Sequence, residues 1–130
     1  MTAPDSRIQT YLNRIRYSGE LTPTAATLRA LQRAHLYNVY FENLDIGWRI
    51  PIRLDRESLF EKIVVRGRGG CCYELNGLFG WLLCELGFNV ANLSASDVQG
   101  EGKYGPQFDH LVLRVTCPAD AEPETIWLAD

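Results

Sequence analysis

The chain has 130 residues, the length of one ordinary domain, with 46% apolar and 22% charged residues. That composition is globular and excludes a disordered segment. The net charge is −3, with no basic run and no aromatic–basic interleaving, which argues against a nucleic-acid partner. No apolar stretch is long enough to span a bilayer, so no membrane association is expected. No apolar run follows Met1–Arg7, so no signal peptide is expected and the cytoplasm is the expected compartment.

In chain order, Asp5 or Ser6 can cap a first helix whose apolar residues Ile8, Tyr11, Leu12 and Ile15 follow the helical period, with Gly19 expected to end it. Thr22 before Pro23 predicts the cap of a second helix carrying Leu28, Leu31, His35 and Leu36. Residues 39–54 read as irregular. Asp55 is placed to cap a short helix with Leu59, Phe60 and Ile63 inward. After the glycine-rich turn 66–70, Leu75, Leu78, Phe79, Leu82, Leu83 and Leu86 recur at threes and fours, a strong helix that Gly87 ends. Phe88–Leu93, Leu111–Val115 and Ile126–Ala129 then read as short strands. Helices first and strands later predict an α+β fold. The expected division is a helical domain over 1–87 and a strand-rich domain over 88–130. The last strand ends at Asp130 with nothing to cover it, so the sequence reads as cut off and open to self-association through that edge.

The chemistry concentrates where the glycine turn meets the strong helix. The first amides of a helix lack internal acceptors and carry partial positive charge. A thiol there has its reactive thiolate form favoured. The same amides can receive the oxygen of a tetrahedral intermediate. Cys71 and Cys72 both occupy this position, and spacing does not choose between them. A cysteine nucleophile needs a base and a group to orient it. His35 lies inside an apolar helix and reads as structural. His110 opens a strand, and Asp130 ends the next one, so neighbouring strands would bring the two together. No metal is expected: the four cysteines, Cys71, Cys72, Cys84 and Cys117, fit no zinc-binding spacing. With no secretion signal they are expected as free thiols.

The stretch Arg68-Gly69-Gly70-Cys71-Cys72-Tyr73-Glu74-Leu75-Asn76 resembles the active-site motif of the arylamine N-acetyltransferases, in which Arg-Gly-Gly and one residue precede the catalytic cysteine. Aligned so, the motif selects Cys72. The resemblance extends over nearly the whole chain, through Tyr11–Ile15, Pro23-Thr24, Ala34–Leu36, Phe41-Glu42-Asn43-Leu44-Asp45, Asp109–Leu113 and Trp127–Asp130. It implies a helical domain, a β-barrel domain and an α/β lid on the plan of papain-like cysteine enzymes, with the lid missing here. It implies that Cys72, His110 and Asp130 form a catalytic triad, and that Arg68 and Glu42 pair to hold the turn containing Gly69 and Gly70. It implies ping-pong transfer from acetyl-CoA to an arylamine or hydrazine, an activity of xenobiotic metabolism.

Two departures qualify these expectations. Cys71 replaces the usual aromatic residue, and the family members are considerably longer. The missing parts help bind CoA and shape the amine pocket. Asp130 as a chain terminus would add a second negative charge near His110 and favour imidazolium. Weak or absent turnover is therefore expected of this chain. The alternatives are a non-catalytic relic or interaction fragment, and a transglutaminase-like or papain-like hydrolase. Cys84 and Cys117 read as inert small apolar residues, Trp48, Trp81 and Trp127 as packing anchors, and Asn43 and Asn76 as partners of buried backbone groups. Gly100–Gly105 has the spacing GxGxxG, but a strand follows where a helix should open. It reads as a flexible loop leading to His110 and lining the amine pocket.

Overall fold

Helix α1 (Ser6–Arg14) begins where the Asp5 carboxylate accepts a hydrogen bond from the Arg7 amide at 3.2 Å. The computed structural model describes residues 5–130; residues 1–4, where part of the signal-peptide reading falls, lie outside the described residues. The helix stops well before Gly19. Arg16 takes φ 57°, and the amides of Arg16 and Tyr17 fold back onto the carbonyls of Asn13 and Leu12 at 3.0 and 2.9 Å. A non-glycine residue thus makes the left-handed turn that usually closes a helix.

Helix α2 (Ala25–Asn38) is capped by Thr24, not Thr22. A cap must reach an amide two or three residues on, and the Thr24 hydroxyl accepts from the Thr27 amide at 3.2 Å. Asp120, just before the last strand, accepts from the Ala25 amide at 2.9 Å and ties this helix start to the sheet. Within the stretch expected to be irregular, α3 (Leu44–Gly47) is a single turn. Helix α4 (Arg56–Phe60) starts at Asp55, whose carboxylate accepts from the Ser58 amide at 2.9 Å, and runs on into a π-helical turn over Glu61–Val65.

Helix α5 (Cys72–Glu85) carries the predicted apolar stripe. The strands β1 (Asn89–Ala95), β2 (His110–Thr116) and β3 (Ile126–Ala129) form one antiparallel sheet in the order β1-β2-β3. The fold is α+β, as predicted. Helix α5 packs on β1 and β2, and Leu82 and Leu83 join Leu113 and Val115 in a core that also takes Ile15, Leu31 and Ile63. Burying each such side chain contributes roughly 1.5–3 kcal/mol. At Gly80 an added Cβ would lie 3.3 Å from Leu113 Cδ2, so the glycine lets the sheet settle closely on the helix.

Arg14 fixes what precedes α5. Its guanidinium donates to the carbonyls of Ile63 (2.8 Å), Asn38, Gly67 (3.1 Å) and Arg68 (3.3 Å). One half-buried fork gathers the end of α2 and the π-helical turn with the turn leading to the cysteines.

Candidate active site

The glycine turn is held against the 40–42 segment by backbone contact. The Glu42 amide donates to the Gly70 carbonyl at 3.0 Å, and the Gly70 amide to the Tyr40 carbonyl at 3.3 Å. A Cβ on Gly69 would fall on the Tyr40 carbonyl oxygen, so no other residue fits without moving the backbone. Arg68 and Glu42 do pair, at 3.0 Å, and they belong to a larger cluster. The Lys62 ammonium, nearly buried, reaches Glu74 at 2.7 Å, Asp45 at 2.8 Å and Glu42 at 3.8 Å, and Arg68 reaches Asp45 at 2.8 Å. Burial lowers the proton affinity of Lys62, but the hydrogen bonds to Asp45 and Glu74 outweigh it and hold the group charged. Lys62 and Arg68 hold the Asp45 carboxyl below its usual range, Lys62 being the larger influence.

Glu74 connects this cluster to the helix start. Its other oxygen accepts from the Cys71 amide at 3.1 Å, while the Cys71 sulfur faces the Glu74 amide, a capping box with a thiol in place of a hydroxyl. Cys71 is thus the cap of α5, and burial pushes its thiol pKa up. Cys72, one residue on, lines a cleft of about 320 Å³ with His110, Asp130, Asn76, His35 and Phe41. The structure therefore separates the two thiols that spacing left equivalent.

Antiparallel pairing places Leu113 opposite Ala129, so β3 leaves Asp130 near the start of β2. His110 Nε2 lies 2.8 and 2.9 Å from the two Asp130 carboxylate oxygens. That hydrogen bond chiefly, with the nearby Cys72 thiol, raises the pKa of His110. With Nε2 engaged by the carboxylate, Nδ1 is the nitrogen left for the thiol. Cys72, His110 and Asp130 converge on one cleft.

His35 also lines it, but as a buried group whose Nε2 sits 2.8 Å from the Tyr11 hydroxyl. Burial, helped by Arg14, lowers its pKa to about 4, so it is neutral near pH 7. The 100–105 loop turns at Gly100 and Gly102, both at positive φ, and does not line the cleft. Asn76 does satisfy a backbone group, the Leu111 carbonyl at 2.6 Å, whereas Asn43 makes no side-chain cap bond. Cys117 is buried, but Cys84 is solvent-exposed on α5. Trp81 and Trp127 pack against the core; Trp48 is exposed, with the Arg68 guanidinium 5.8 Å from its ring centroid. Among the described residues no group of three or more potential metal ligands assembles, and no helix is long and apolar enough to cross a membrane.

Sequence reasoning gave no role to Lys62, Asp45 or Arg14, whose partners are distant along the chain. The Glu74 role had a local signal, a glutamate three residues after the cap.

A thiol at a helix start, beside an imidazole held by a carboxylate, is the constellation of cysteine-nucleophile enzymes. Residues 24–130 match the family described as N-acetyltransferase. The chain belongs to that family, the arylamine N-acetyltransferases. It is 45% identical over 111 residues to the arylamine N-acetyltransferase of Mycolicibacterium smegmatis, an alignment covering 83% of this chain and 40% of that protein. The arylamine N-acetyltransferase of Salmonella typhimurium superposes with a TM-score of 0.85 at 35% identity, over 98% of this chain and 45% of that one. The Mycobacterium marinum enzyme in complex with CoA gives 0.81 at 38% identity, over 93% and 44%. The chain thus spans about 40% of the length of the curated relatives it matches.

Proposed function

We propose that this chain carries the nucleophile, base and orienting acid of an acetyl-CoA-dependent arylamine N-acetyltransferase working by ping-pong transfer. The observation that carries the reading is the His110 imidazole, bonded through Nε2 to Asp130 and set beside Cys72 in one cleft. In the first half-reaction His110 Nδ1 takes the Cys72 thiol proton, and the thiolate attacks the acetyl carbonyl carbon of acetyl-CoA. The carbon–sulfur bond to CoA breaks, and CoA leaves as the thiol with the proton from His110. In the second, an arylamine or hydrazine nitrogen attacks the Cys72 thioester, His110 takes the nitrogen's proton, the carbon–sulfur bond to Cys72 breaks, and that proton returns from His110 to the Cys72 sulfur. The Cys72 amide at the helix start is placed to donate to the oxyanion of both tetrahedral intermediates. Asp130 orients His110 and stabilises its charged form. Arg68, Glu42, Gly69 and Gly70 hold the turn.

The same reading takes residues 1–87 as a helical domain and 88–130 as part of a β-barrel domain on a papain-like plan, acting in the cytoplasm on xenobiotic amines. For the 130-residue chain by itself we propose acylation without efficient turnover. Cys72 is only partly buried, and a thioester that water can reach is drained by hydrolysis. The test is intact mass after brief exposure to acetyl-CoA or a small activated acetyl ester, with Cys72→Ala as control. One acetyl on the wild type and none on the variant is expected.

A second reading, a pairing fragment without catalysis, is favoured by one observation. The outer edge of β3 has no strand partner among the described residues, and its Ile126 and Leu128 are 59% and 69% exposed.

A further inference from the structure

Asn76 lies one helical turn after Cys72, on the same face of α5. Its side-chain amide donates twice, to the Leu111 carbonyl on β2 at 2.6 Å and to Asp130 Oδ1 at the end of β3 at 3.2 Å. Asn76 is itself buried, 7% exposed, although it faces the cleft. One rigid amide therefore spans the helix that carries the thiol, the strand that carries the imidazole and the residue that carries the carboxylate.

Asp130 has few other constraints. Its carboxylate touches His110 and Asn76, and its carbonyl accepts from Gln32 Nε2 at 2.8 Å. Without the Asn76 amide, the half-exposed carboxylate is free to rotate away from the ring. A leucine or alanine would also strand the Leu111 carbonyl, so the position affects folding as well as geometry.

We propose that Asn76 is a positioning residue: its amide fixes the Asp130 carboxylate on His110 Nε2 and so sets the base that activates Cys72. This rests on the functional reading above. The groups facing His110 are Asp130 from the end of β3 and Cys72 from α5. Of these two, Asn76 bonds Asp130 directly, and its bond to the Leu111 carbonyl ties the Cys72 helix to the His110 strand.

The test uses the full chain with Asn76→Ala, and with Asn76→Leu, which keeps the branch and bulk but donates nothing. Three quantities are read: the thermal midpoint, the His110 titration midpoint by imidazole NMR, and the rate of Cys72 alkylation by iodoacetamide at pH 7. Asp130→Asn gives the reference for a lost carboxylate. Both Asn76 variants are expected to move the His110 midpoint down toward the Asp130→Asn value. The alkylation rate should fall on the order of tenfold, the scale of one hydrogen bond to a charged group. A lowered thermal midpoint with His110 titration and Cys72 rate unchanged would show a merely structural amide and overturn the proposal. Failure of the wild type to accept an acetyl group refutes the functional reading separately, since the titration shift does not depend on any acyl donor.

Discussion

His35 and His110 share a cleft wall and are driven in opposite directions by their surroundings. Burial depresses His35 to about 4, whereas the Asp130 carboxylate raises His110. The consequences for stability have opposite signs. His35 contributes stability that is present above the ordinary histidine value near 6.5 and is lost as pH falls toward 4, an effect on the order of 3 kcal/mol. His110 contributes stability that is present below its ordinary value and is lost as pH rises through its raised one. Imidazole NMR should therefore show one midpoint clearly above the ordinary value and one ring still neutral at pH 5. The thermal midpoint should fall between pH 6.5 and 4 in the wild type, and less steeply in His35→Gln. Two midpoints near 6.5 would contradict the burial of His35 and the engagement of His110. At this scale the sequence already set the two histidines apart, because one among apolar helical residues and one at a strand start face different surroundings; the structure buries the first and sets the second against Asp130. It did not separate Cys71 from Cys72 without the family motif. That distinction is made by Glu74, which engages the first thiol's residue as a helix cap.

The elements around the cleft were legible to different degrees. The apolar stripe of α5 and the alternation in the three strands are local patterns, and the observed boundaries fall within three residues of them. Helix ends were harder. Arg16 closes α1 in a conformation that favours glycine, and Thr24 out-competed Thr22 because only its hydroxyl reaches the Thr27 amide. The charged cluster under the turn was invisible as a unit. Lys62 and Arg68 face Glu42, Asp45 and Glu74 across separations of up to 26 residues, and no periodicity reports such pairings. Two cations against three carboxylates leave little margin. Lys62→Met would leave Asp45 and Glu74 buried with Arg68 as the one remaining cation of the cluster, an expected loss of about 3–5 kcal/mol in urea denaturation. Adding Glu74→Gln should restore part of that loss. A change below about 1 kcal/mol would mean that water, not Lys62, satisfies these carboxylates.

At the scale of the molecule, one continuous core joins the helices to the sheet, so the residues that converge on the cleft are supported from both halves of the sequence. The chain spans about 40% of its relatives, and a larger apolar groove of about 540 Å³ lies between α2 and β3, lined by Leu36, Tyr37, Trp127 and Leu128. The β3 edge beside it has no strand partner among the described residues, and the pairing reading places its contact there. Sedimentation of the 130-residue chain should show a mass that rises with concentration, and Leu128→Lys should return it to the monomer; a monomer at all concentrations would remove the pairing reading. The acyl-carrier assignment is tested most directly by intact mass after exposure to acetyl-CoA and to a small activated acetyl ester, for the wild type, Cys72→Ala and Cys71→Ala. Wild type and Cys71→Ala are expected to gain a single acetyl group, and Cys72→Ala none. An acetyl group retained in Cys72→Ala and lost in Cys71→Ala, or no acetyl on the wild type from either donor, would contradict the assignment of Cys72 as the acyl carrier.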